Sequence, residues 1–146
     1  MPVRDSLLPE FDHEMAVTRR LLERLPEPAF AWKPHEKSFA LGGLATHLAQ
    51  IPHWGRAILD KESYDLADAG ATRAAEQTTV QGVLETFDRH VGELRKRLLD
   101  KTDAELMAPW ALMRGSQLVM SLPRLAALRS FVLHHLIHHR GQMTVY

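Results

Sequence analysis

Residues 133–143 read LHHLIHHRGQM, which places four of the nine histidines within six positions of an apolar helical stretch. At about 100° per residue, the apolar stripe of this segment runs through Leu125, Leu128, Val132, Leu136 and Met143. His135 and His139 project near the centre of that stripe. His138 lies roughly a right angle away and His134 farther round, so those two belong to the rim or the surface. Separated by four residues, His135 and His139 stand one turn apart on one face, the arrangement that lets two imidazoles ligate a single ion.

The same helical period recurs in three earlier segments. The first runs from about Asp5 to Leu25, turns Leu7, Phe11, Met15, Leu22 and Leu25 to one side, and stops at the prolines of LPEP (25–28). The second follows WKPHEKSFALGG (32–43) and continues to about Asp60. The third starts near Thr78 and carries Val80, Val83, Leu84, Phe87, Val91, Leu94 and Leu98 in a stripe free of ionisable residues. For the fourth, Ser121 is the expected N-cap, Pro123 falls in the first turn, and the apolar pattern continues to Tyr146. No C-cap follows it, which reads as a truncation or a lost tail.

No sustained alternation supports a sheet-based core. The expectation is therefore an all-α fold, a single up-down four-helix bundle over residues 1–146. APWALMRGSQLVMS (108–121) adds a short hairpin turning at Arg114 and Gly115, and YDLADAGATRAAEQ (64–77) a long crossover or lid.

A chain of 146 residues buries about two thirds of the surface its unfolded form exposes, enough for a core without staples. It contains no cysteine, which removes disulfides, thiolate ligands and a thiol nucleophile. Eighteen basic residues balance eighteen acidic ones, leaving no electrostatic footprint for nucleic acid or an anionic membrane. The first residues lack the apolar run of a signal peptide, and no later run approaches the ~20 residues of a membrane span. A cytoplasmic, soluble protein with a small-molecule or protein partner is expected.

The second segment offers a third ligand. In HLAQIPHW (47–54), His47 shares a face with Leu44, Leu48, Ile51 and Trp54, while His53 points elsewhere. A lone histidine on an apolar face is more often a satisfied core residue than a ligand. Three inward imidazoles on two helices are harder to explain that way, because burying them without partners costs a few kcal/mol. In the first segment Glu14 and Thr18 stand where leucines are expected, as tolerated polar residues near an open end or as acid-base or orienting groups near an ion. His35 and His90 read as single polar-region histidines without a role.

HLAQIPHW and HHLIHHRGQM, with WKPHEKSFALGGLATHLA and PWALMRGSQLVMSLPR, resemble the DinB-like (DinB/YfiT) family over most of the chain. The resemblance implies a usually dimeric four-helix bundle, with a divalent metal held by one histidine of the second helix and an HxxxH pair of the fourth. Here those are His47, His135 and His139, the three the helical wheel selects. Related bundles include S-transferases and an isomerase that use low-molecular-weight thiols.

Two chemistries are then open to an enzyme of this kind, hydrolysis and thiol transfer, with Glu14 as the candidate catalytic group. A non-catalytic dimeric module with a structural ion is the alternative, and a metal-free core with three hydrogen-bonded histidines a third. Zinc or nickel is the expected cofactor, with iron and copper also compatible with imidazole. The expected partners are a second copy in a homodimer, and a small-molecule substrate or low-molecular-weight thiol.

Overall fold

The computed structural model describes residues 2–68 and 75–146. Three long helices form first: α1 (Val3–Leu22), α2 (Leu41–Asp60) and α3 (Val80–Leu99), with a one-turn helix α4 (Asp103–Met107) after them. The fourth long helix covers 124–143 in three parts, α5 (Arg124–Leu128), a π-helical segment (Arg129–His134) and α6 (His135–Met143). Thr79 caps α3 by accepting from the Gly82 amide, and Thr102 and Glu105 form a reciprocal capping box on α4. Both amide and hydroxyl of Thr102 donate to Glu105, holding its carboxyl at about 2.

Polar pairs between the long helices fix their directions. Asp12 meets Arg95 at 2.8 Å while Arg19 meets Asp88 at 2.8 Å, so α1 and α3 run antiparallel. Arg56 meets Glu93 and Asp60 meets Arg97, both at 2.7 Å, so α2 and α3 run parallel. Glu10 pairs with Arg129 and Glu14 with Arg140, so the terminal helix runs parallel to α1. Apart from the largely buried Glu14–Arg140, these pairs are exposed enough to stabilise little, about 0–1 kcal/mol each, but they report register. The expected alternating up-down order is thereby replaced by up-down-down-up. A return stroke is needed between parallel neighbours, and the residues from 61 to 79 are long enough to retrace a helix of about 30 Å.

The core lies inside the ring of four helices. Leu22, Leu44, Leu48, Ile51, Val83 and Leu136 are fully buried, and Phe11, Phe87, Leu94 and Val132 nearly so. Pro52 stands inside α2 and, lacking an amide, leaves the Leu48 carbonyl without its helical donor. One residue on, the Ala49 carbonyl accepts from Nδ1 of His90 at 2.9 Å. His90 is thus a buried, partnered residue of the α2–α3 seam, its ring 4.9 Å from His53, and the third apolar stripe does contain an ionisable group. His35 is exposed and accepts the Lys37 amide at 3.1 Å.

The chain is not purely all-α. The expected hairpin forms from β2 (Pro109–Arg114) and β3 (Gln117–Pro123), and β1 (Ser63–Asp65) joins it in parallel to give the order β1-β2-β3. The turn falls on Gly115 and Ser116, one residue later than expected, because Gly115 supplies the left-handed φ of +59°. Asp65 accepts the Ala67 amide at 2.8 Å and the Gly115 amide at 3.0 Å, the second tying β1 to the turn, and these amide bonds hold its carboxyl below the usual range. Ser121 and Pro123 extend β3 instead of opening the last helix, which starts at Arg124. Part of the expected crossover at 64–77 is β1 and the 3-10 turn Leu66–Asp68, while 69–74 lies outside the described residues.

Trp110 anchors the sheet in the core at 3% exposure, against Phe131. Arg124 donates to the Ile58 and Lys61 carbonyls, closing the C-terminal end of α2. The sheet and the histidine-rich end of the bundle are therefore at opposite poles.

Gly55 lets α2 approach α3: a Cβ there would lie 2.5 Å from a Leu94 methyl and 3.2 Å from its Cγ. Gly55→Ala gains about 1 kcal/mol of helix propensity but meets overpacking of about 1–3 kcal/mol. The expected outcome is a net loss of stability, read as a lower urea midpoint with unchanged slope.

Candidate metal centre

Two helices converge on the site. His47 comes from the second turn of α2, and His135 and His139 from α6, which runs antiparallel to it. Nε2 of His47 lies 3.2 Å from Nε2 of His135, and one ring nitrogen from each of the three histidines lies within 4.8 Å of the others. Their ring centroids are 5.1 Å (His47–His135), 4.4 Å (His47–His139) and 4.7 Å (His135–His139) apart. All three are partly buried, whereas His134 and His138 are exposed.

The three residues the wheel selects come together in space, but at the edge of the core rather than at its centre. Across the π-helical segment, Leu128 and Leu133 are five residues apart and both buried, so the inward face turns relative to a regular α-helix. Leu125, upstream, is only partly buried, and His135 and His139 come out at the edge of the core.

The rings of His139 and His135 are oriented by further hydrogen bonds. His139 Nδ1 donates to Oε1 of Gln142 at 2.7 Å, which leaves Nε2 as its acceptor. His135 is hydrogen-bonded to the Phe131 backbone within the π-helical segment. Burial, reinforced by the neighbouring His139 and His138, lowers the pKa of His135 below its ordinary value. Burial likewise lowers His139, over the opposing effect of its bond to Gln142. Neutral imidazoles with one free lone pair each are the chemical form a divalent ion takes, so the donor set fits such an ion.

Glu14 does not join the three histidines. Its Oε2 is buried 2.6 Å from Nη2 of Arg140, a contact that is ionic rather than a well-aligned hydrogen bond. Arg140 also donates to the Glu14 carbonyl and to Oγ1 of Thr18, each at 3.2 Å, and Thr18 is completely buried. The two polar anomalies of α1 are thus a mount for the residue that follows His139. Phe39, which sequence reasoning missed, stacks on His47 at 6.0 Å and 11°. An aromatic residue directly before a histidine-bearing helix was its only signal.

The fold and site define a class, helical bundles with a three-histidine group at one pole. The DinB family profile matches residues 1–146, and the chain belongs to that family. Among solved structures, it is similar to a DinB-like protein from Bacillus cereus, with a TM-score of 0.75, 20% identity, and 97% of this chain and 88% of that one covered. A DinB-like protein from Bacillus subtilis aligns with a TM-score of 0.72 at 18% identity, with the same coverage. These likenesses concern the fold. No curated protein matches the chain.

The lowered pKa values set a direction for pH. The unfolded chain binds more protons than the folded one below about 6.5, so the histidines' contribution is complete above that pH. It is lost as pH falls from there toward the folded values. Metal-free protein should therefore show a falling urea midpoint below pH 6.5, and a His135→Gln, His139→Gln variant a shallower fall. An equal slope in both would refute the assignment.

Proposed function

We propose that the protein is a metal-dependent enzyme of the thiol-transferase or hydrolase type, built on His47, His135 and His139. The observation that carries this reading is the convergence of three donor nitrogens within 4.8 Å. A divalent ion with three neutral ligands keeps its double charge and an open position, and so supplies Lewis acidity toward a bound water or thiol. Gln142 and the Phe131 backbone orient the imidazoles toward the ion. With no cysteine in the chain, a thiol nucleophile would come from a cosubstrate, a chemistry that suits a cytoplasmic protein. Zinc or nickel is the ion this donor set suits first, with iron also compatible.

Glu14 enters as an orienting group rather than a free base. Its pairing with Arg140 holds the turn that carries His139. Glu14→Gln should weaken metal binding by about tenfold, the effect typical of a lost outer partner, without changing stoichiometry.

We also propose a homodimer. Of the three tryptophans, Trp110 is buried and offers no surface to a partner. The better observation is edge strand β3, which among the described residues pairs only with β2 and exposes Leu118, Val119 and Met120 without a charged residue in its span. Uncharged edges of this kind invite antiparallel pairing with another copy. Light scattering should give twice the chain mass at micromolar concentration, and Val119→Lys should return it to one.

The metal reading is tested on protein purified without a histidine tag or chelating resin. Single alanine substitutions at His47, His135 and His139 should each abolish stoichiometric metal, while His134→Ala retains it. Equal losses at all four positions would show that the inward set is not the ligand set. A saturated coordination shell that never exchanges water for azide or thiol would favour the structural-ion module.

A further inference from the structure

Two aromatic side chains border the histidine triangle without taking part in it. Phe39 lies along the His47–His139 side, stacked on the first and edge-on to the second at 6.4 Å. Trp54 lies along the His47–His135 side, at 5.6 Å and 5.5 Å. Both leave broad faces in water, 46% for Phe39 and 39% for Trp54. Core packing does not require those faces, since the apolar side of α2 is already filled by Leu44, Leu48 and Ile51 at 0% exposure.

The segment bearing Phe39 is fixed by the far end of the chain. The Tyr146 hydroxyl donates to the Phe39 carbonyl at 2.9 Å, and its ring packs edge-on against Trp32 at 5.6 Å. Single exposed aromatics are ordinary on a surface. Two held on adjacent sides of one cluster of polar donors have the composition of a ligand site, aromatic walls around a few polar groups.

We propose that Phe39 and Trp54 form an apolar subsite for an aryl or arylalkyl carboxylate, its ring laid on their exposed faces and its carboxylate directed to the three-histidine centre. The inference rests on the metal reading, because the charge that would select an anion is the ion's: among the described residues the donor group holds three imidazoles and no carboxylate. Apolar walls beside an uncompensated dication complement a ligand with a planar apolar body and a single negative head.

The test compares 2-naphthoate with acetate on zinc-loaded protein, by calorimetry and tryptophan fluorescence, in the parent chain and in Phe39→Leu and Trp54→Leu. Zinc content is measured first on each sample. The naphthyl group should improve affinity over acetate by at least about tenfold, the yield of burying roughly 60 Å² of apolar surface. Each substitution should remove most of that preference while acetate affinity stays the same, and chelation of the zinc should abolish naphthoate binding. Stoichiometric zinc with equal affinities for the two acids would overturn the proposal and leave the metal reading standing. A preference that survives both substitutions, or naphthoate binding undiminished after chelation, would do the same. Failure to hold zinc at all would overturn both.

Discussion

Because α2 and α3 run side by side in the same direction, with Gly55 of one against Leu94 of the other, the chain must travel back along the bundle between them. That single constraint organises the molecule. The return stroke contributes β1 at the C-terminal end of α2, and the hairpin that precedes the terminal helix pairs with it there. The terminal helix then runs antiparallel to α2 and closes the ring against α1. One pole is occupied by the sheet and by Arg124 on the last carbonyls of α2. Only the other is left for histidines to meet.

At that pole the electrostatics divide cleanly. The ion pair of Glu14 and Arg140 is kept on the α1 side, where Arg140 also donates to Thr18. Partial burial disfavours the charged form of two of the triangle's donors, His135 and His139. A carboxylate free to reach the triangle would have lowered the charge of any bound ion.

Much of this was legible in the sequence, because periodicity survives tertiary packing wherever a helix is regular. His47, His135 and His139 were selected by spacing and face alone, and the long helices fell where apolar stripes and proline stops placed them. What was not legible depends on long-range geometry. Helix direction leaves no trace in a stripe, so up-down-down-up order could not be distinguished from simple alternation. The three residues of β1 pair in parallel across a gap of almost fifty positions, far beyond any local alternation. The π-helical segment shifts the phase within one helix, which a wheel of constant angle cannot register, and so the two histidines of α6 were placed at the centre instead of the edge. His90 seemed isolated because its partner is a backbone carbonyl of another helix.

Pro52 gives α2 a mechanical property that its even length conceals. The helix is divided at a position with one backbone bond missing. Beyond it, Gly55 and the pairs at Arg56 and Asp60 fasten the helix to α3. Before it, the half carrying His47 is bordered by the terminal helix it faces. The 3.2 Å separation between His47 and His135 is therefore set on the half of the helix that precedes a joint with one backbone bond fewer than a regular helix has.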